Sequence, residues 1–197
     1  MIPGLALLAL IGASSASAAV PGGTGAPPTV QTAATGGAGV GNPIAPPSTP
    51  AQPTTPGYAA KIVKGVAYAP AFAPMQVKKA IWAGNQIRTK PYAVGGGHGK
   101  WKDSAYDCSG SVGYVLHAAG LLKTSMDSSE FESWGDRGRG QWITVYTNPG
   151  HAFVEIAGVR LDTSREGDPN PAPGTGPRWR PVMTGTGGYL ARHPSDL

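Results

Sequence analysis

The first 60 residues of this 197-residue chain contain no Asp, Glu, Lys or Arg. The 16 basic and 11 acidic residues all follow, from Lys61 onward, and give a net charge of +5. Gly and Pro account for 30 and 20 residues, a proportion at which low complexity is expected. The five Trp, seven Tyr and three Phe nevertheless allow a core to form. We therefore expect one globular domain behind a long uncharged leader.

Other absences exclude whole classes of function. A single cysteine excludes an intramolecular disulfide framework and a cysteine-based zinc site. The histidines and carboxylates show no metal-ligand spacing, so we expect no metal and no cofactor. The glycines at 95–97 are not followed by a P-loop Lys-Ser or Lys-Thr. No basic run alternates with aromatic residues, which argues against a nucleic-acid partner.

The N-terminal region has the pattern of an exported protein. The apolar run Leu5–Ile11 is too short to span a bilayer, and Ala16-Ser17-Ala18 fits a signal-peptidase site. The run lacks a preceding Lys or Arg. We predict a signal peptide over residues 1–20 and a secreted or wall-associated protein without a membrane span. Residues 21–57 contain 17 Gly or Pro and predict a disordered linker that is dispensable for folding.

The remaining region, 58–197, predicts an α+β domain in which N-terminal helices pack on an antiparallel sheet. Helical spacing and end signals predict one helix over 74–87 and another from Asp107 or Cys108 to Ala119, followed by Gly120. Alternating apolar residues and turn signals predict strands at Trp142–Tyr146, His151–Ile156, Val159–Thr163 and Trp179–Met183.

Cys108 is the first candidate for chemistry. It opens the second predicted helix, where the helix dipole and free N–H groups favour a thiolate. Ser109 and Gly110 follow and leave room for a substrate. Cys108 lies four residues before Val112, on the helical stripe expected to pack on the sheet. The alternative is a small buried hydrophobic residue without a reactive role.

Four histidines could act as the base. His117 is nine residues from Cys108 and therefore faces the opposite side of the helix. His98 lies in the glycine loop, where it could touch substrate but would be poorly fixed, and His193 lies in the tail. His151 begins a strand directly after a tight turn, so we predict that it is the base.

Asp162 is the predicted third residue. If residues 157–158 form a two-residue turn, Asp162 is the diagonal cross-strand neighbour of His151 on one face. A carboxylate there would fix the imidazole tautomer. The alternative is a solvated edge residue. On the same face we expect a cross-strand ion pair between Glu155 and Arg160.

Three segments carry a resemblance to a known family. They resemble the NlpC-type cell-wall peptidases, papain-like cysteine enzymes of bacteria, over about residues 76–162. The matching segments are Tyr92-Ala93-Val94-Gly95-Gly96, Tyr106-Asp107-Cys108-Ser109-Gly110-Ser111-Val112 and Gly150-His151-Ala152-Phe153-Val154. The family's Gly-Asp-Leu-x-Phe-Phe strand is not evident, and its third residue is often His rather than Asp.

The resemblance implies a papain-like fold and a Cys-His-Asp triad of Cys108, His151 and Asp162. It also implies a tyrosine near the thiolate, matched by Tyr92, and cleavage of peptidoglycan stem peptides. We expect substrate contacts from Tyr92, Ser109, His98 and Trp101.

The sequence thus predicts an exported, monomeric cysteine peptidase whose partner is peptidoglycan. Two alternatives stay open. One is an amidase or acyltransferase on the same papain-like fold. The other is a catalytically silent wall-binding module on that scaffold.

Overall fold

The computed structural model of the chain describes residues 51–168 and 174–197. The predicted signal peptide and residues 21–50 of the predicted linker lie outside these ranges. In the described part, no helix is both long and apolar enough to cross a bilayer. The elements are, in chain order, β1 (Thr54–Thr55), β2 (Lys61–Val63), β3 (Val66–Pro70), α1 (Met75–Ile87), α2 (Cys108–Ala118), α3 (Ser128–Phe131), β4 (Asp136–Arg137), β5 (Ile143–Asn148), β6 (His151–Ile156), β7 (Val159–Asp162), β8 (Arg178–Arg180) and β9 (Leu190–His193).

Six strands form one antiparallel sheet in the order β4-β9-β5-β6-β7-β8. Helix α2 packs on β6 and β7, and α1 packs on α2 and β3. The predicted α+β class, with helices ahead of an antiparallel sheet, is confirmed. The C-terminal tail contributes a strand that was not predicted. This strand, β9, pairs with β5 on one side and with β4 on the other.

A second, three-stranded sheet precedes the helices. Strand β3 lies between β1, which is parallel to it, and β2, which is antiparallel. The Trp82 indole N–H also donates to the Pro53 carbonyl, at 3.1 Å. Residues 53–55 therefore belong to the fold, and the boundary predicted at Tyr58 lies too far along the chain. Strands of two or three residues carry too little periodicity to be recognised in a Pro/Thr-rich stretch.

Both helices form where their end signals predict them. Pro74 occupies the N-cap position of α1 without a side-chain capping hydrogen bond, and its missing N–H removes no intrahelical hydrogen bond there. Helix α2 is capped by Asp107, whose side chain accepts the Gly110 N–H. After α2 the chain reverses at Gly120, which has a φ of +78°. The apolar stripes of both helices lie in the main core.

The β6–β7 hairpin has the predicted register. Ile156 pairs with Val159, and the turn residues Ala157 and Gly158 both have positive φ, as a type I′ turn requires. The face that includes Val154 packs into the core under the helices. The predicted starts of two strands were each wrong by one residue. Strand β5 begins at Ile143 and not at Trp142, and β8 begins at Arg178 and not at Trp179.

Candidate active site

The N-terminus of α2 is held in place by Asp107. One carboxylate oxygen accepts the Gly110 N–H at 2.7 Å and the other accepts the Gly95 N–H at 2.8 Å. This side chain therefore caps the helix and binds the preceding glycine loop to it. The next residue is Cys108, a partly exposed free thiol among the first N–H groups of the helix, which have no intrahelical carbonyl acceptor.

His151 is positioned by the turn that precedes it. The Asn148 side-chain oxygen accepts the N–H groups of Gly150 and His151, each at 2.9 Å, and so fixes the start of β6. The His151 ring is close enough to the Cys108 thiol for the two groups to shift each other's pKa. Its Nε2 lies 2.9 Å from Asp162 Oδ1, which leaves Nδ1 for the sulfur. His151 is the first residue of β6 and therefore lies at the end of the sheet.

The two reacting groups shift each other's protonation. Burial raises the pKa of the Cys108 thiol, but hydrogen bonds from His151 and from the Ala152 N–H outweigh this effect and lower it. Burial lowers the pKa of His151, but the hydrogen bonds and charges of Asp162 and Cys108 raise it to about 9. Both shifts favour a thiolate–imidazolium pair, whose titration belongs to the pair as a whole.

Asp162 is only 1% exposed and forms an ion pair with the buried Arg160. Its Oδ1 accepts the Ser164 N–H at 2.8 Å, and its Oδ2 lies 3.1 Å from the Nη1 of Arg160, which is fully buried. The expected Glu155–Arg160 ion pair is therefore wrong. Although the two residues are register partners, Arg160 pairs with Asp162 and Glu155 pairs with Arg139 at 3.4 Å.

A second buried arginine fixes the chain beyond β7. Arg180 donates from Nε to the Asp162 carbonyl at 3.3 Å and from Nη1 to Asp168 at 2.7 Å. Arg160 Nη2 donates to the Glu166 carbonyl at 2.7 Å. The two guanidinium groups thus hold both Asp162 and the loop that follows it. The sequence analysis did not identify either arginine as a site residue, because both lie in predicted strands and no motif marks them.

Tyr92, which the resemblance implies is near the thiolate, interacts electrostatically with Cys108. Burial and the charges of Cys108 and Asp107 raise the pKa of its hydroxyl, which therefore remains a hydrogen-bond donor. Tyr92 also lines a cavity of about 340 Å³ together with Thr163, Arg165, Gly174, Thr175 and Gly176. Neither Cys108 nor His151 is among the described residues that line it.

Tyr189 is a further aromatic residue at the site. Its ring meets the His151 ring edge-on, with centroids 6.3 Å apart. Burial raises its pKa, and the charges of Glu166, Asp162 and Cys108 add to this effect. Sequence reasoning missed this residue because it precedes β9, in a segment with no recognisable motif.

The side chains of His98 and Ser109 both contact Asp107 and also contact each other. His98 Nε2 lies 3.0 Å from Asp107 Oδ1 and 3.2 Å from the Ser109 hydroxyl, and its Nδ1 lies 2.9 Å from the Ser125 hydroxyl. The expectation that His98 is poorly fixed is therefore wrong. Ser109 is buried within this network, so its hydroxyl is not open to a substrate.

The structure does not bring Trp101 to the thiol. Its ring stacks on His117, with centroids 4.0 Å apart and planes at 7°. His117 is nine residues along α2 from Cys108 and faces the opposite side, as predicted. We expected Trp101 to contact the substrate of Cys108, but the structure places its ring against His117 instead.

Similarity to known proteins is found only among solved structures. No protein-family profile matches the chain, and no curated protein matches it. Among solved structures, one similar chain is Rv1477, a hypothetical invasion protein of Mycobacterium tuberculosis, at 23% identity and a TM-score of 0.43. The similarity covers 60% of this chain and 62% of that one, so it spans less than two thirds of either.

Proposed function

We propose that the chain is an exported cysteine peptidase that hydrolyses peptide bonds in peptidoglycan stem peptides. One observation carries the proposal: a thiol at the start of a helix and a histidine shift each other's pKa, and Nε2 of that histidine lies 2.9 Å from a buried carboxylate. The motifs around Cys108 and His151 resemble those of NlpC-type peptidases, and that resemblance supports the choice of substrate.

In the first half of the reaction, the Cys108 thiolate attacks the carbonyl carbon of the scissile amide. The developing oxyanion is stabilised by the backbone N–H of Cys108 and by the Tyr92 hydroxyl. The His151 imidazolium then gives its proton to the leaving amine nitrogen. The C–N bond breaks, and the acyl group remains on sulfur as a thioester.

In the second half, neutral His151 accepts a proton from water as the water oxygen attacks the thioester carbon. The C–S bond breaks, the product leaves as a carboxylic acid that gives its proton to the released amine or to solvent, and the thiolate–imidazolium pair is restored. Asp162 holds the ring orientation through Nε2 and stabilises the imidazolium, which is consumed in the first half of the reaction and re-formed in the second.

Mass spectrometry of purified muropeptides after incubation with the full chain tests this proposal. We expect two products whose summed mass exceeds that of the substrate by one water. Cys108→Ser should form neither product, because an alcohol lacks the acidity of the thiol. EDTA should leave the rate unchanged. Activity lost in EDTA and restored by zinc would contradict the thiol mechanism.

The same experiment separates the alternatives. An acyltransferase would join the acyl fragment to an added amine instead of releasing it to water, and an amidase would cleave a different bond. A silent binding module would give no product, and Cys108 would react with iodoacetamide no faster than an ordinary thiol. Export remains a separate prediction, tested by whether residues 1–20 direct a reporter out of the cell.

A further inference from the structure

A second cavity lies between α1 and α2, on the side of α2 opposite Cys108. Its volume is about 660 Å³, larger than the cavity beside Tyr92 and within the usual range for ligand sites. His117 lines it, and this residue is half a turn around α2 from the thiol. The cavity is thus separate from the site described above.

Its walls are aromatic rings that other contacts hold in place. Trp101 is stacked on His117. The Trp82 N–H donates to the Pro53 carbonyl, and the Tyr114 hydroxyl donates to the Gln86 side chain at 2.8 Å. Trp82 and Trp101 are only partly buried. A ligand would therefore meet preorganised aromatic surfaces and would not have to order them.

The rim is positively charged. Lys79 and Lys102 line the cavity and are exposed, whereas no Asp or Glu is among the described residues that line it. Within residues 51–168 and 174–197, neither lysine takes part in an ion pair. The amides of Gln52 and Gln86 add neutral hydrogen-bonding groups. This charge pattern favours an anionic ligand.

The polar groups that line the cavity also distinguish between ligand classes. Much of the wall comes from α1 and α2, whose backbone groups are largely satisfied within the helices, so there is no strand edge for an extended peptide. A purely apolar ligand would leave the lysines and amides without a role. A sugar ring offers an apolar C–H face to an aromatic ring and hydroxyls to amide and ammonium groups.

We propose that this cavity binds an anionic glycan, with sugar rings on Trp82 and Trp101 and a carboxylate on Lys79 and Lys102. A glycan held there leaves the space beside Cys108 open. The site would then anchor the protein to a polymer while the thiol acts on attached peptides. Only this last role rests on the proposed function; the binding itself does not.

Three soluble probes test the binding on the full chain by calorimetry and tryptophan fluorescence. The first is a hyaluronan hexasaccharide, which carries N-acetylglucosamine and carboxylates. The second is chitohexaose, which is neutral. The third is hexaglutamate, which has charge but no sugar. At low salt we expect the hyaluronan hexasaccharide to bind about tenfold more tightly than chitohexaose, and hexaglutamate not to bind. Equal binding of hexaglutamate, or no binding of the hyaluronan hexasaccharide, would overturn the proposal.

Variants locate the binding. Trp101→Ala should weaken it about tenfold or more, as expected for loss of an aromatic contact. Should circular dichroism show that this variant is misfolded, the double variant Lys79→Ala/Lys102→Ala decides, since both lysines are exposed. It should abolish the preference for the charged sugar, whereas Lys61→Ala, which removes an exposed lysine on β2, should not. An unchanged preference in the double variant would overturn the proposal.

Cys108→Ser separates this proposal from the peptidase proposal. We expect it to lose hydrolysis and keep the glycan affinity of the wild type. Unchanged hydrolysis would refute the peptidase and leave the glycan site standing. A wild-type chain that hydrolyses muropeptides but binds no glycan would refute only the glycan site.

Discussion

At the scale of single residues, the ion pair with Arg160 means that a substitution of Asp162 affects stability as well as activity. Both side chains are fully buried and form an ion pair. Removing one partner of such a pair leaves an uncompensated charge and destabilises a protein by about 3–5 kcal/mol. A change at Asp162 therefore acts on folding as well as on His151.

Asp162→Asn should lower kcat by about 10² to 10⁴ and KM little, because the lost effect is on the ring and on the charge formed during reaction. It should also lower the melting temperature. The double variant Asp162→Asn/Arg160→Met should recover much of that stability, because no charge then stays unpaired, but not the activity. Recovery of turnover together with stability would show that Asp162 serves only the fold.

The protonation of Cys108 and His151 predicts a bell-shaped pH dependence of kcat/KM. The rate should rise with pH as the thiol, with its lowered pKa, loses its proton. It should fall as His151 loses its proton near pH 9. Measurement of kcat/KM across pH checks both limbs.

His151→Ala provides the matched test of the thiolate. Iodoacetamide labelling of wild-type Cys108 at about pH 6.5 should be faster than that of a free cysteine, whose pKa is about 8.5. In the variant, labelling should require a higher pH. An unchanged labelling profile would mean that His151 does not stabilise the thiolate.

At the scale of elements, the start of α2 and the glycine loop approach too closely for a side chain between them. A Cβ on Gly110 would overlap the Gly96 carbonyl oxygen and meet the Asp107 side chain at 3.0 Å. Farther along the helix, a Cβ on Gly113 would find its nearest atoms at 3.6 and 3.7 Å, on Trp101 and Leu122. The two glycines are therefore a matched pair within one helix.

Gly110→Ala should reduce both stability and activity, because either the loop or the start of α2 that carries Cys108 must move. Gly113→Ala should leave activity unchanged and stabilise by about 0.5–1 kcal/mol, since Ala is the better helix former. Denaturant unfolding and muropeptide turnover measure both effects. A Gly110→Ala variant with wild-type turnover would show that the close approach does not position the thiol.

At the scale of the whole molecule, the fold begins before the first predicted element. The pairing of β1 with β3 and the hydrogen bond from Trp82 to Pro53 both involve residues that the sequence assigned to a linker.

Removal of residues 1–50 should therefore leave the melting temperature of the domain unchanged. Removal of residues 1–57 should lower it, because β1 and the carbonyl partner of Trp82 are lost. Thermal unfolding of the two truncated chains measures the difference. Equal melting temperatures would show that β1 contributes nothing to stability.

Local features were predictable wherever a strong sequence signal acts over a few residues. Asp107 and Gly120 mark the ends of α2 because capping and positive φ depend on neighbouring residues. The Ala157-Gly158 turn determines the hairpin register, and the register places Asp162 beside His151. The predicted ends of β5 and β8 were less accurate, because the end of a strand depends on pairing partners elsewhere in the chain.

The sequence by itself thus determined the α+β class, the two long helices, the hairpin and the pairing of His151 with Asp162, all of which follow from local periodicity and turn geometry. Only the tertiary structure decided that Arg160 pairs with Asp162 instead of Glu155, that His98 is locked to Asp107, and that Trp101 lies on the far side of α2. These contacts depend on which long side chains meet once helices and sheet have packed, and no spacing along the chain specifies that choice.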